Sequence, residues 1–374
     1  MYPPGGKSTK RKFQNFSAKT RLTGILRSLR KRLSGRRKGI FHSAVEGLLR
    51  GHKVPLVDVG AAGALPPNWE DWKSHLAVTA FEPDPVAAEK WKHRYPEKSF
   101  QVVAQGLSQR GGAVPLHVLN APTGSSLKKL KTPISPYVEE SYCYPVREVL
   151  IETIRLGDGL KQVGQPSFAG IKLDTQGSEL EILQSLSART LQEAVFIETE
   201  IGMPGAYADT PKLSDWLAFL EPLGFELFDL HPLRTPLVKF QQEHQDIWGQ
   251  LGVPPGNVSV SQRLWEADAL FFNTKKLSGI AKSAGELATT VACLCLYRFF
   301  LEALDLVERG RHQGIIDSDR ARAMRKSVLL IHQHLSRDAF EIGPFSSLAI
   351  LGEIFGSSRH PRWCQYRYYE APHG

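Results

Sequence analysis

The sequence has few cysteines, and no secretory leader is expected from its N-terminal residues. Its 374 residues include only four cysteines, at positions 143, 293, 295 and 364, which are too few and too scattered for a disulfide framework. Cys293 and Cys295 lie in an apolar helical pattern without the second pair that a zinc site requires. The N-terminus lacks the apolar segment of a signal peptide. These absences favour a reducing compartment, and we expect a cytoplasmic protein.

The sequence also lacks an apolar run of about 18 residues, the length that a spanning helix requires. Its nearest candidate, residues 287–307, contains Arg298, Glu302 and Asp305. Charged side chains at these positions disfavour a bilayer span. We therefore predict a buried or interfacial helix.

Acidic residues are missing from residues 1–45, which hold 13 Lys and Arg. The formal net charge is +9, yet the rest of the chain has 34 basic against 38 acidic residues, a net of −4. Apolar residues at helical spacing in 21–39 predict a basic amphipathic helix. Such a helix would lie on an anionic membrane surface, giving a peripheral location, or bind an acidic partner; a merely solubilising extension is the alternative. The acidic remainder, with no N/D-P-P-Y type motif, argues against nucleic acid as a partner.

Strands and helices alternate from about residue 52, which predicts a doubly wound, Rossmann-like α/β sheet. Asp84 followed by Pro85 is typical of a helix start, and Ser178 with Glu181 predicts a capping box. The last two predicted strands are joined by a long linker without a helical pattern and suggest an antiparallel addition at the sheet edge. The expected strands are 56–60, 78–83, 99–107, 113–120, 145–156, 168–177, 193–201, 225–230 and 267–273.

Three regions are expected along the chain. Residues 1–45 would form a basic, partly disordered tail that includes the amphipathic helix. Residues 46–278 would form the α/β domain. Residues 279–374 read as helices without strands and would form a helical C-terminal extension, either a cap on the α/β domain or a small second domain.

Carboxylates gather where the predicted strands end. Ligands of doubly wound sheets bind outside the carboxyl ends of the strands, and strand ends do not normally collect this many acids unless a ligand organises them. The residues found there are Asp58, Glu82, Asp174, Glu198, Glu200 and Asp229, with His231 just beyond.

The glycine turn LVDVGAAG (56–63) distinguishes between nucleotide-type ligands. Gly60 and Gly63 allow a sharp turn on either side of Ala61, but the G-x-G-x-x-G spacing of a dinucleotide site is absent. Asp58 would repel a phosphate and suits a cationic ligand. Glu82, followed by Pro83, is placed to accept hydrogen bonds from ribose hydroxyls. S-Adenosylmethionine carries a sulfonium, an ammonium and a ribose, so it is the predicted cofactor; a turn that holds no ligand is the alternative.

Six segments together resemble the FkbM-type S-adenosylmethionine-dependent methyltransferases, and the K-x-D-x-x-G-x-E stretch at 172–179 is the most specific of them. The resemblance covers about 52–275. It departs from the family at 156–160, where this chain reads LGDGL rather than L-D-D-L-L. The segments are LVDVGAAGA (56–64), FEPDP (81–85), SSL (125–127), ETIRLGDGL (152–160), GIKLDTQGSELEIL (170–183) and EADALFFN (266–273).

The resemblance implies a seven-stranded class I methyltransferase sheet and O-methylation of a hydroxyl on a glycan or small-molecule metabolite. By position, Asp58 and the glycine turn would cradle the methionine portion of the cofactor, and Glu82 would bind its ribose. Gly106 and Leu107 would lie against adenine. A non-catalytic scaffold that keeps the fold and a nucleic-acid methyltransferase remain alternatives.

A hydroxyl acceptor calls for a general base. The sequence offers three candidates: Asp174, Glu200 and His231. Asp174 ends a central strand, although it would serve equally to bind the cofactor's amino group or to position the following loop. His231 precedes Pro232 and has an ordinary loop position as its alternative. No metal site is predicted, because these residues lack the close spacing of metal ligands.

Overall fold

The computed structural model describes residues 37–134, 141, 143–203, 205–234, 252 and 264–337. Most of the predicted amphipathic helix, residues 21–36, lies outside the described residues, as does the predicted extension beyond 337. Residues 37–49 are helical and are called α1 here.

A seven-stranded sheet forms the centre of the molecule, in the order β3-β2-β1-β7-β8-β10-β9. Every pairing is parallel except those of β10, which runs antiparallel to both β8 and β9. The doubly wound sheet and the antiparallel addition near its edge are thus confirmed. Its strands are β1 (Val54–Val59), β2 (Leu76–Phe81), β3 (Phe100–Val103), β7 (Gly170–Leu173), β8 (Phe196–Gly202), β9 (Phe225–Arg234) and β10 (Leu264–Asn273).

Three further strands form a separate sheet in the order β4-β6-β5, comprising β4 (Gly106–Leu107), β5 (Gly112–Leu119) and β6 (Pro145–Ile154). The prediction of one continuous strand over 99–107 was therefore wrong. The chain leaves the central sheet after Val103 and pairs again with β6 at Gly106. A Cβ atom on Gly106 would lie 2.9 Å from Ile151 Cδ1, so the glycine allows β4 to approach β6.

Helices cover both faces of the central sheet. One face packs against α4 (Leu156–Gln162), α5 (Glu179–Gln184), α6 (Ala188–Glu193) and α7 (Leu213–Leu220). The opposite face packs against α1, α2 (Pro67–Glu70), α3 (Pro85–Arg94), α9 (Ala284–Leu296), α10 (Phe300–His312) and α11 (Ser318–Arg337). A short helix, α8 (Thr274–Ser278), follows β10. The described part of the C-terminal extension therefore packs on the α/β body.

Two predicted helix starts have different outcomes. Asp84 caps α3, since its side chain accepts the Val86 N–H at 2.9 Å, and this prediction is confirmed. The capping box at Ser178 is wrong, because that side chain makes no cap hydrogen bond. Glu179 instead accepts the N–H groups of Thr175 (2.7 Å) and Gly177 (2.9 Å).

The apolar segment 287–307 forms two helices, α9 and α10, which are separated at Tyr297–Phe299, where Arg298 has φ 68°. Most of α9 is buried, as predicted. Among the described residues, no helix combines the length and apolarity needed to cross a membrane.

Candidate functional site

A single lysine lies in a row of carboxylates across the central strands. The strand register places Asp58 opposite Lys172, and Lys172 opposite Glu198. Alternate residues of a strand share one face, so Asp58 lies on the same face as Leu56, which packs in the core beneath the C-terminal helices. Lys172 Nζ also lies 3.0 Å from Asp174 Oδ2. This face is therefore apolar where the strands begin and charged where they end.

Asp58 is buried with an incomplete set of partners. The residue is only 1% exposed, and its Oδ2 has no hydrogen-bond partner among the described residues. Burial raises its pKa to about 7, against the opposing charge of Lys172. A buried carboxylate oxygen without a donor is costly. A ligand that brings a cationic donor to Asp58 would remove that cost.

The glycine turn after β1 has already used several of its amide donors. Gly60 and Ala61 donate to Phe81 O at 3.0 and 3.3 Å, and Ala62 donates to Glu82 Oε2 at 2.9 Å. A phosphate-binding turn needs such amides free to face the anion. The turn therefore does not suit a pyrophosphate, in agreement with the sequence argument.

The close approach at Gly60 is to the protein itself. Gly60 has φ +81°, and a Cβ atom there would lie 2.0 Å from Asp174 O. Gly63 has a similar φ of +84°, but its nearest neighbour, Ala87 O, would be 3.6 Å away. Gly60 thus permits the turn after β1 and the loop after β7 to meet at the site.

Glu82 connects the loops that follow β1 and β2. Its Oε1 accepts the Asp84 N–H at 2.8 Å, while Oε2 accepts the Ala62 N–H at 2.9 Å. Burial raises its pKa, and these two amides oppose that rise. Each carboxylate oxygen has a second lone pair, so both remain able to accept a hydroxyl. Pro83 lies beside Gly106, whose added Cβ would be 3.7 Å from Pro83 Cβ, and Leu107 next to it is buried.

Gln176 joins the two carboxylates predicted as general bases. Its Nε2 donates to Asp174 Oδ1 at 3.0 Å and to Glu200 Oε1 at 3.2 Å. Its backbone has φ 61°, a region that non-glycine residues seldom occupy. Its carbonyl O accepts the Ser126 hydroxyl at 2.7 Å, and Tyr207 OH lies 3.2 Å from its Oε1. Gln176 is therefore the link between the strand ends and the segments that cover them.

The pKa values of Asp174 and Glu200 are shifted in opposite directions. Burial alone would raise the pKa of Asp174, but the charge and hydrogen bond of Lys172, together with Gln176, hold it below its usual value. Burial and the neighbouring charge of Asp174 hold the pKa of Glu200 well above its usual value. Divergent pKa values in neighbouring acids are a recurrent feature of acid–base sites.

Strand β10 adds two more acids beside Glu200. Burial, and after it the charge of Asp174, raises the pKa of Glu266 to about 7. Burial also raises the pKa of Asp268 to about 6; Lys172 opposes this rise and Asp174 adds to it. Asp268 lies opposite Glu200 on β8 and opposite His231 on β9.

His231 lies within β9, so the loop alternative is wrong; the strand continues beyond the predicted end at 230. Its Nδ1 is 4.0 Å from Asp268 Oδ2. Asp229, in contrast, lies opposite Leu270 and accepts the adjacent Leu230 N–H at 2.9 Å.

The structure brings together most of the predicted site and adds residues to which the sequence argument gave no role. The predicted acids Asp58, Glu198, Asp174 and Glu200 lie within one charged network, which Glu82 borders. No group of three His, Cys, Asp or Glu in the described ranges is arranged to hold a metal ion. The added residues are Lys172, Gln176, Tyr207, Glu266, Asp268 and Tyr297.

Comparison with known families bears on this constellation. The family model described as the methyltransferase FkbM domain matches residues 58–227. This segment is a methyltransferase FkbM domain. The protein is therefore a methyltransferase, and its cofactor is S-adenosylmethionine. The acidic turn and its occupied amides fit a cationic cofactor without phosphates.

The chain is also similar to individual proteins. It is 26% identical over 194 residues to 2-O-methyltransferase NoeI of Sinorhizobium fredii (strain NBRC 101917 / NGR234), covering 47% of this chain and 78% of that relative.

Among solved structures, magnesium protoporphyrin IX methyltransferase from Synechocystis PCC 6803 with bound SAM has 11% identity and a TM-score of 0.28, covering 63% of this chain and 80% of that one. Precorrin-6y C5,15-methyltransferase from Geobacter metallireducens GS-15 has 11% identity and a TM-score of 0.30, covering 62% and 87%. Likeness at this level does not bear on the substrate.

Proposed function

We propose that this methyltransferase methylates a hydroxyl group on a glycan or a small-molecule metabolite, with Glu200 as the general base. The observation that carries the proposal is the Asp174–Gln176–Glu200 arrangement. A single side-chain amide donates to both carboxylates, and the pKa of Glu200 is raised while that of Asp174 is lowered.

S-Adenosylmethionine supplies an activated methyl group, so the protein's task is to align the acceptor and to remove its proton. Asp58 would accept a hydrogen bond from the cofactor's ammonium through its orphaned Oδ2. Glu82 would accept the ribose hydroxyls. The remaining cofactor contacts that we propose come from the turn and the adenine side of the site: Gly60, Ala61, Gly63, Pro83, Gly106 and Leu107.

Glu200 is better suited than Asp174 to take a proton from a hydroxyl. A base with a raised pKa has the stronger driving force for proton transfer. Asp174 is held by Lys172 at 3.0 Å and by Gln176, so we assign it the role of positioning both neighbours. His231, which lies near Asp268, is the remaining candidate and would act from β9, beside the acids of β10.

The acidic residues of β8 and β10 support a polyol rather than a nucleic-acid acceptor. Glu200, Glu266 and Asp268 present carboxyl groups that form hydrogen bonds with hydroxyls and that repel phosphates when they are ionised. The NoeI relative, whose name states 2-O-methylation, supports the same chemistry. Any contact of residues 21–39 with a membrane surface remains a proposal based on charge.

The test is methyl transfer from labelled S-adenosylmethionine to three acceptor pools: neutral oligosaccharides, small phenols and sugars, and RNA. We expect transfer to one of the hydroxyl pools and none to RNA. Glu200→Gln should lower kcat by about 100-fold or more while leaving the affinity for S-adenosylhomocysteine unchanged. Glu226→Gln removes an exposed carboxylate on β9 and serves as the control.

Two results would contradict the proposal. Methylation of RNA alone would refute the acceptor class, and a wild-type rate for the Glu200 variant would refute its role as base. Tight binding of S-adenosylhomocysteine with no turnover on any pool would favour the scaffold alternative.

A further inference from the structure

A tyrosine from outside the matched FkbM segment reaches the charged row of the central sheet. Tyr297 follows the last turn of α9 and is 6% exposed. Its hydroxyl donates to Glu198 Oε2 at 2.6 Å and lies 3.3 Å from Trp69 Nε1, which donates to it. The phenol ring packs against Phe196, with ring centroids 4.8 Å apart. These contacts fix the hydroxyl against the carboxylate.

Glu198 and Asp58 flank the same lysine. Lys172 lies opposite each of them in the register of β7 with its neighbours, and it also pairs with Asp174 at 3.0 Å. One positive charge therefore serves two buried carboxylates and the half-buried Asp174. In a site of low polarity, adding a second and a third negative charge becomes progressively harder.

The hydroxyl of Tyr297 favours the charged form of Glu198. Burial raises the pKa of both Asp58 and Glu198 to about 7, so the two acids compete for ionisation near neutral pH. A hydrogen bond to the charged form favours that form. Tyr297 provides this bond to Glu198 and not to Asp58. A charged Glu198 in turn makes ionisation of Asp58 more difficult.

We propose that Tyr297 is a positioning residue of the cofactor site: by holding Glu198 as the charged member of the row, it keeps Asp58 protonated until the cofactor's ammonium arrives. Binding then releases a proton from Asp58, and the C-terminal helices set the pH range of binding. The inference rests on the proposed contact between Asp58 and the cofactor, but not on the identity of the acceptor.

Several other charged groups face this pair, and a change at Tyr297 leaves each of them in place. They come from β7 and β10 and from the loops that follow β2 and β7. Apart from Glu198, the charged groups acting on Asp58 are Lys172, Asp174 and Glu82; apart from Tyr297, those acting on Glu198 are Lys172, Asp268 and Asp174.

The test is calorimetric binding of S-adenosylhomocysteine from pH 5.5 to 8.5, without any acceptor. Tyr297→Phe removes only the hydroxyl, so Glu198 should ionise less readily and Asp58 more readily. We expect the midpoint of the binding profile to move to lower pH by about half a unit or more, with affinities converging at high pH. Glu198→Gln should move the midpoint in the same direction, because it removes the competing charge.

The matched control is Thr290→Val, which also removes a buried hydroxyl of α9 but one that bonds to Glu286 O within the helix. It should lower stability without moving the pH midpoint. An unchanged midpoint in the Tyr297 variant, or a uniform loss of affinity at every pH, would overturn the proposal. If the wild-type protein failed to bind S-adenosylhomocysteine, the cofactor site itself would be refuted and this proposal with it. An error in the acceptor class alone would leave the proposal about Tyr297 intact.

Discussion

Replacing Asp58 with Asn should stabilise the ligand-free protein at alkaline pH while it weakens cofactor binding. The pKa of Asp58 is raised by burial from 3.8 to about 7. Each unit of difference between the folded and unfolded states corresponds to about 1.36 kcal/mol. The ionised group therefore costs the folded state up to about 4 kcal/mol once the pH exceeds 7.

This cost develops over a defined pH range. Below the unfolded pKa, Asp58 is protonated in both states and costs nothing. As the pH rises from about 4 to about 7, the unfolded chain loses the proton first, so the stability contributed by the protonated group is lost. At pH 5 the cost has reached only about 1.6 kcal/mol. An Asn at this position has no such dependence.

The assay is urea denaturation of the wild type and the Asp58→Asn variant at pH 5 and pH 8, without ligand. Comparing the two pH values cancels the pH-independent effect of the amide on packing. The variant should gain about 2.5 kcal/mol relative to the wild type between pH 5 and pH 8. Its affinity for S-adenosylhomocysteine should fall at least about tenfold, since a charge-assisted hydrogen bond is lost.

A difference in stability that does not change with pH would refute the reasoning, because it would mean that Asp58 titrates alike in the folded and unfolded states. Undiminished binding of S-adenosylhomocysteine to the variant would separately refute the role of Asp58 in holding the cofactor. Glu226→Gln controls for the loss of one negative charge at an exposed site.

Two further predictions concern the turn and the thiols. Gly60→Ala should lower the free energy of unfolding, measured by chemical denaturation, by several kcal/mol more than Gly63→Ala. Both residues have positive φ, but only at Gly60 would a Cβ lie 2.0 Å from Asp174 O in the β7–α5 loop. Equal losses would show that the close contact is unimportant. In a native thiol titration, half-buried Cys143 should react well before the buried thiols of α9, Cys293 and Cys295, whose pKa values burial raises; equal rates would contradict their burial.

The central sheet could be predicted because its strands carry strong local signals. β1 and β2 are short apolar runs followed by turn residues, and five of six residues in each are buried. The separate β4-β6-β5 sheet could not be predicted in the same way. Residues 99–107 read as one strand, and the chain divides there because Gly106 and Leu107 pair with β6, which is distant in sequence.

The carboxylates of the site could be predicted from their positions at strand ends, whereas their organisation could not. Lys172 gave a signal, since an isolated lysine inside the apolar strand GIKL implies a buried partner. Gln176 gave none: its effect comes from a rare backbone conformation and from side-chain contacts to Asp174 and Glu200. Hydrogen bonds of this kind depend on the folded geometry rather than on residue spacing.

The site extends beyond the segment that defines the family. Residues 58–227 match the FkbM domain, yet Asp268 on β10 lies opposite Glu200, and Tyr297 donates to Glu198. Removing the Tyr297 hydroxyl would leave Glu198 without this compensating donor, whereas removing Asp268 would take away a like charge that raises the pKa of Glu200. Either change alters the proton affinity of a carboxyl group in the site. Tyr297 therefore acts directly on the charge of Glu198, and a fragment ending at residue 227 would lack both Tyr297 and Asp268.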